Sequence, residues 1–140
     1  MTRGAGREPI ADDDWLLRRI LDQPERMWTR QEDGALRPSS AAFKPAQVDG
    51  GLSVDVRRLL PDPSNPTSVL DDQHDSGLVE FNAAQARKAS LDVVHTPLTE
   101  RYSHADVVGF AGLAKPVAKR LQRELAKRAV WVKHPASAAA

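Results

Sequence analysis

Apolar and polar residues alternate most regularly near the middle of the chain, and this alternation predicts β-strands. The segment LSVDV at 52–56 follows a Gly-Gly pair and has the period of two typical of a half-buried strand. The apolar runs GLVEF at 77–81, LDVVH at 91–95 and HADVVGF at 104–110 predict three further strands. Between the first two of these runs, AAQARKAS predicts a short helix with Asn82 as its N-cap.

The segment DDDWLLRRIL at 12–21 fits two structures. As a helix, it would place its acidic residues at the positive N-terminal end, and Leu17, Ile20 and Leu21 would share one face. As a strand, its alternation is poor, because the two adjacent arginines fall on opposite faces. We expect a short helix, with a strand as the alternative.

The clearest helix pattern lies near the C-terminus. Pro116 suits the first turn of a helix, where its missing N–H is not needed. An apolar ridge at every fourth position is formed by Val117, Leu121 and Leu125. About 200° round the helix, a second ridge is formed by Lys119, Arg123 and Lys127. We expect the first ridge to pack on the sheet and the second to face solvent.

These elements predict a single α+β domain at residues 12–133, in which a mixed β-sheet is covered by the C-terminal amphipathic basic helix. A chain of 140 residues and 15.4 kDa is long enough for one such core. The Gly- and Arg-rich segment 1–11 and the tail 134–140 show no period, so we expect a disordered arm and a disordered tail.

Composition excludes several kinds of site. The chain has no cysteine, which rules out disulfides, thiolate nucleophiles and cysteine-type zinc sites. The acidic segment DDQHDSG at 71–77 lacks the spacing of a calcium loop, and no HExxH spacing is present, so we predict no metal and no cofactor. No secretory signal and no membrane-spanning run are visible, and a cytoplasmic location is expected.

Charge is distributed unevenly along the chain. Residues 111–140 contain seven Lys or Arg and a single acid, a net charge of +6, which leaves −5 for residues 1–110. Such a split favours an anionic partner. The candidate contact residues for a protein partner or a nucleic-acid backbone are Lys119, Arg120, Arg123, Lys127 and Arg128. Aromatic residues are only 5% of the chain, so few side chains are available to stack on nucleic-acid bases. The alternative is an ordinary solvated outer face.

The segment RPSSAAFK at 37–44 also fits two interpretations. A serine hydroxyl could cap a short turn that sends Phe43 into the core, without any function. Alternatively, the side chains of Arg37, Ser39, Ser40 and Lys44 could hold a phosphate or carboxylate. The segment is not a nucleotide-binding P-loop, because the required glycines are missing.

Two of the four histidines stand out by position. His95 ends one predicted strand and His104 begins the next, so a hairpin would bring both rings to the same end of the sheet. Together with Arg37, they are the candidate catalytic residues of a general acid–base centre. The alternative is two ordinary histidines at strand ends.

The order LLRRI, RPSSAAFK, LSVDV, GLVEF, HADVVG and VWV over residues 13–132 resembles a group of small bacterial proteins of uncharacterised activity. The resemblance implies a stand-alone domain. Our leading hypothesis is a non-catalytic binding or adaptor module of a bacterial multi-component system. It would dock a protein partner or a nucleic-acid backbone through the basic helix. The alternative is a small enzyme acting on nucleotides or RNA, ADP-ribosyltransferase-like or nuclease-like, with an Arg/Ser/His anion pocket.

Overall fold

The computed structural model describes residues 7–45 and 51–139. Its strands in chain order are β1 (Trp15–Ile20), β2 (Trp28–Arg30), β3 (Leu36–Pro38), β4 (Leu52–Val56), β5 (Gly77–Asn82), β6 (Asp92–His95), β7 (His104–Val108) and β8 (Val130–Lys133). The α-helices are α1 (Ala83–Lys88) and α2 (Lys115–Arg128), and 3₁₀ turns cover Ser40–Phe43, Arg57–Leu59, Pro66–Leu70 and Ala136–Ala139.

Six strands form one sheet in the order β6-β7-β4-β1-β5-β8, and β2 pairs with β3 as a separate hairpin. Every pairing in the main sheet is antiparallel. The predicted α+β class is confirmed. The predicted strand–helix–strand unit is also present, but its strands β5 and β6 are not neighbours, because β1, β4 and β7 lie between them.

The segment for which we expected a short helix is the central strand β1, so that expectation was wrong. β1 pairs with β4 on one side and β5 on the other. Leu16 and Ile20 are buried in the main core, and Leu17 is buried in a second cluster on the opposite face. A strand that is covered on both faces does not need polar residues at alternate positions. The weak alternation that favoured a helix is therefore a consequence of burial on two sides.

The sheet has two faces of different character. One face carries the main core, which includes Phe43, Phe81 and Leu125 and is covered by α1, α2 and the Ser40–Phe43 turn. The other face carries a smaller apolar cluster formed by Leu17, Leu60, Leu70 and Leu78. By the alternation of the strands, the side chains of β4 and β7 that do not join the main core, such as Ser53 and His104, also lie on this second face.

The two ends of the described chain pack onto the domain, contrary to the expected disorder at residues 7–11 and 134–139. Ile10 is buried in the main core, and the main-chain N–H of Glu8 donates to His95 Nδ1 at 2.8 Å. Ala138 is also buried, and its carbonyl accepts from Arg30 Nη2 at 2.8 Å. The remaining positions of the predicted arm and tail, 1–6 and 140, lie outside the described residues.

The predicted N-cap of α1 is present as a complete capping box. The Asn82 side chain accepts from Gln85 N at 3.1 Å, and the Gln85 side chain accepts from Asn82 N at 3.1 Å. Within the described ranges, no helix has both the length and the apolar composition needed to cross a bilayer.

Candidate anion-binding surface

α2 packs with one face on the main core, where it contacts the Ser40–Phe43 turn, β3 and α1, and it presents its cations outward. Leu125 is 1% exposed and is part of the main core, and Leu121 packs against that core. Val117 is only half-buried and does not join the core; its expected place is taken by Ala118 and the buried Gln122. The outward side chains, all exposed, are Lys115, Lys119, Arg120, Arg123, Lys127 and Arg128.

Among the residues that the structure describes, none of these six cations forms an ion pair or a side-chain hydrogen bond. Glu124, the acid within α2, has no cation within 4.0 Å of its carboxylate in the described part of the chain. Several arginines elsewhere are paired, among them Arg58 with Asp14 at 2.9 Å and Arg87 with Asp12 at 2.6 Å. The six cations of α2 are therefore offset only by Glu124 of the same helix, which makes no ion pair with them.

One flank of α2 forms a groove with the β2–β3 hairpin and brings two predicted sites together. Its volume is about 340 Å³, and its lining includes Arg37, Ser40, Arg120, Arg123 and Lys127, with Glu124 as the acid. The exposed Arg37 side chain therefore adds a fourth cation to three from the helix. The sequence alone had indicated two separate candidate sites.

A second groove lies against the N-terminal half of α2. It has a volume of about 670 Å³ and is lined by residues that include Ser40, Lys44, Lys115, Lys119 and Gln122, with no carboxylate among its described lining. Arg37 and Lys44 thus belong to different grooves, so the predicted four-residue anion cluster does not form one compact site. We call the six cations of α2 together with Arg37 and Lys44 the basic surface.

Ser39 does not act as the predicted cap. It occupies the N-cap position of the Ser40–Phe43 turn, but its side chain makes no capping hydrogen bond. Its Oγ is buried without a hydrogen-bond partner among the described residues. Phe43 is fully buried, as the turn interpretation predicted.

The two candidate histidines lie at the same end of the β6–β7 hairpin, but their side chains are on opposite faces of the sheet. In the register, His95 lies opposite Ala105, so their side chains share the face of the main core. His104 precedes Ala105 and therefore points to the second face. The hypothesis that the two rings act as an acid–base pair is wrong for this reason.

His95 is held on both ring nitrogens. Its Nε2 lies 2.6 Å from the Tyr102 carbonyl oxygen, which can only accept, so this nitrogen carries a proton. Its Nδ1 accepts from Glu8 N at 2.8 Å. The ring is 1% exposed. His95 therefore anchors the N-terminal segment and has no lone pair left for catalysis.

Arg37 is also separated from His104. Arg37 lines the groove beside α2, which packs over the main-core face, whereas His104 lies on the second face with Ser53. The predicted pocket that combined Arg37, Ser39, Ser40, His95 and His104 is therefore not formed.

Sequence reasoning missed a half-buried arginine in β1 whose guanidinium is held by main-chain carbonyls. The side chain of Arg18 donates from Nε to the Ala42 carbonyl at 3.0 Å and from Nη1 to the Ser53 carbonyl at 2.7 Å. Burial, with a smaller contribution from the neighbouring Arg19, lowers the pKa of Arg18 to about 10, so the guanidinium is charged at neutral pH. The available signal was a pair of arginines inside an otherwise apolar run.

A second feature that was missed is the buried carboxylate of Asp55, which is 2% exposed. It pairs with Arg101 and accepts from Ser103 Oγ at 2.9 Å. This cluster ties the loop between β6 and β7 to β4 on the second face of the sheet.

Comparison of the chain with protein-family models, curated proteins and solved structures finds no match. Function must therefore be inferred from the geometry alone.

Proposed function

We propose that the protein is a binding module that docks a nucleic-acid phosphate backbone on its basic surface. The observation that carries the proposal is the absence of ion pairs, within the described residues, at the eight exposed cations of the basic surface. Seven of them line the two grooves, and Arg128 lies at the C-terminal end of α2 outside both. Charged residues on a folded protein that lack internal partners are available to phosphate groups.

The spacing of the outward ridge suits a backbone. Lys119 and Lys127 are eight positions apart, about 12 Å along the helix axis. That length covers three or four phosphates of one strand, at about 3.4 Å of rise per phosphate. The side chains of this ridge are long, flexible and cationic, and so they recognise charge and not base identity. The proposal includes the expected cytoplasmic location, where nucleic acid is accessible.

The composition of the surface also favours a backbone over a protein. Centres of protein–protein interfaces are apolar and depleted in lysine. The outward ridge of α2 instead consists of Lys119, Arg123 and Lys127.

The test is anisotropy of a fluorescein-labelled DNA duplex and of the matching RNA duplex, titrated with protein between about 50 and 200 mM salt. Neutralising two cations in Arg123→Gln/Lys127→Gln should weaken binding and lower the slope of log K against log salt by about 1.8, or about 0.9 for each phosphate that is no longer neutralised. The matched control is Arg7→Gln/Arg26→Gln, which removes two exposed cations outside the basic surface. Equal weakening by both pairs, or no binding by the unaltered protein at low salt, would contradict the proposal.

A protein partner is the second candidate, favoured by one residue. Leu113 is 38% exposed and lines the second groove together with Phe110. If a protein docks there, the Leu113→Ser variant should no longer retain that partner in a pull-down from nuclease-treated extract. The Leu98→Ser variant, altered at another exposed leucine, should still retain it. Retention by both variants would rule out docking in this groove.

A further inference from the structure

A serine and a histidine are hydrogen-bonded on the second face of the sheet, away from the basic surface. Ser53 Oγ lies 2.7 Å from His104 Nε2. In the β4–β7 register, Ser53 is opposite Asp106 and Asp55 is opposite His104. The side chains of Ser53 and His104 are therefore diagonal neighbours on one face of the sheet. Ser53 is exposed and His104 is buried, so the hydroxyl is accessible while most of the ring is shielded from water.

The partners of the ring define its proton positions. His104 Nδ1 lies 2.9 Å from the Thr96 carbonyl oxygen, which can only accept, so the proton is on Nδ1. In the neutral ring, Nε2 then carries the lone pair and Ser53 donates its hydroxyl hydrogen to it. This is the arrangement in which a histidine can remove a proton from a serine.

A third group holds the ring in place. Thr96 Oγ1 lies 3.0 Å from His104 Nδ1 and donates to Asp106 Oδ2 at 2.9 Å. Asp106 therefore acts on the histidine through Thr96 and is a positioning residue. These contacts place a nucleophile, a base and a group that orients the base next to one another.

The serine itself is rigidly mounted. Its strand neighbours Leu52 and Val54 are buried, and its carbonyl accepts from Arg18 Nη1 at 2.7 Å. The Oγ position is thus determined by a central strand and by the Arg18 guanidinium and not by a loop, which keeps the hydroxyl beside the base.

We propose that Ser53 is a nucleophile activated by His104 and that its substrates are carboxylic esters without negative charge. Ser53 Oγ would form a bond to the ester carbonyl carbon while its proton passes to His104 Nε2. The bond to the alcohol oxygen would then break, and the histidine would return the proton to the departing alcohol. Water would hydrolyse the acyl-serine by giving a proton to His104 as it attacks, and the histidine would return that proton to Ser53 Oγ.

The charges around Ser53 select the substrate class. Asp106 lies directly across the ladder, and Asp55 lies two residues along the strand, with its charge offset by Arg101. An anionic substrate would approach the Asp106 carboxylate at close range and be repelled. A neutral or cationic ester would not.

The experiment uses the full chain and a tagged alkyl fluorophosphonate, a neutral probe that reacts with activated serines. Ser53 Oγ would bond to phosphorus, the P–F bond would break, and fluoride would leave while the proton passes to His104. Peptide mapping by mass spectrometry should locate the adduct on Ser53, and hydrolysis of p-nitrophenyl acetate should depend on the same residue. His104→Gln, which keeps a polar side chain but removes the base, should slow labelling by about 100-fold or more.

The controls separate reactivity from folding and from the proposed binding function. Ser53→Ala should abolish the adduct, while Ser64→Ala should not, since Ser64 is an exposed serine bonded to Asp62 at 2.6 Å and not to a histidine. Arg123→Gln/Lys127→Gln should label normally, because the basic surface is on the other face. Circular dichroism should show each variant folded. An unlabelled native protein, an adduct elsewhere, or an undiminished rate in folded His104→Gln would overturn the proposal.

Discussion

Replacing Leu125 by alanine tests the orientation of α2, on which the basic surface depends. The side chain is 1% exposed and lies in the main core, so its truncation leaves a cavity in the core beneath the helix. Buried Leu→Ala changes cost about 2.7 to 5 kcal/mol. Leu121 beside it is only half-buried, so the helix can partly settle into the space. We therefore expect a loss near the lower end of the range, about 3 kcal/mol.

The assay is urea unfolding followed by circular dichroism and tryptophan fluorescence. With a slope of about 2 kcal/mol per molar urea, the midpoint should fall by about 1.5 M. Arg123→Ala is the matched control on the opposite face of the same helix. It is exposed, forms no ion pair with the described residues, and gains helix propensity, so its stability should change by less than about 0.5 kcal/mol. Equal losses of stability in the two variants would refute the orientation of α2 and therefore the exposure of the ridge formed by Lys119, Arg123 and Lys127.

Three further predictions concern stability. The Arg58 hydrogen bond holds the pKa of Asp14 below its ordinary value of 3.8. The Asp14 carboxylate therefore stabilises the fold above pH 3.8, and this contribution is lost as the pH falls through the lower folded-state pKa. In thermal unfolding, the melting temperature of Asp14→Asn should fall less steeply with decreasing pH than that of the unaltered protein. Asn82→Ala removes the capping box of α1 and should cost about 1 kcal/mol in urea unfolding, with Asn82→Asp close to neutral. Gly77→Ala would place a Cβ 2.8 Å from Trp131 Cζ3, so it should shift tryptophan emission and destabilise the protein by about 1 to 3 kcal/mol; unchanged emission would contradict that close approach.

Local patterns in the sequence sufficed for much of the fold. The alternation in LSVDV predicted β4, the capping residue Asn82 predicted the start of α1, and the four-residue spacing predicted α2 and its exposed ridge. These features depend on residues close together in the chain. β1 could not be predicted in the same way, because its pattern reflects neighbours on both faces that come from distant parts of the sequence.

The candidate sites also depend on contacts between distant parts of the chain, which local sequence patterns do not predict. Proximity of His95 and His104 follows from a hairpin, but their faces depend on its register, and a change of one residue would have placed both rings together. The hydrogen bond between Ser53 and His104 also requires the β4–β7 register, which joins segments 51 positions apart. Likewise, Arg37 reaches α2 only because a separate hairpin packs beside the helix.

Arg18 connects the two faces that the proposals assign to different tasks. Its guanidinium donates to Ala42, in the turn that packs against α2, and to Ser53, which carries the proposed nucleophile. A neutral side chain of similar length, such as methionine, would leave both carbonyls without this donor, and the loss should cost most at the carbonyl of the buried Ala42. The same substitution would also loosen the backbone that positions Ser53 Oγ against His104. Holding a half-buried charge on carbonyl oxygens, without a carboxylate partner among the described residues, costs desolvation that no opposite charge offsets. This arrangement is therefore best explained by the joint positioning of the turn and the strand.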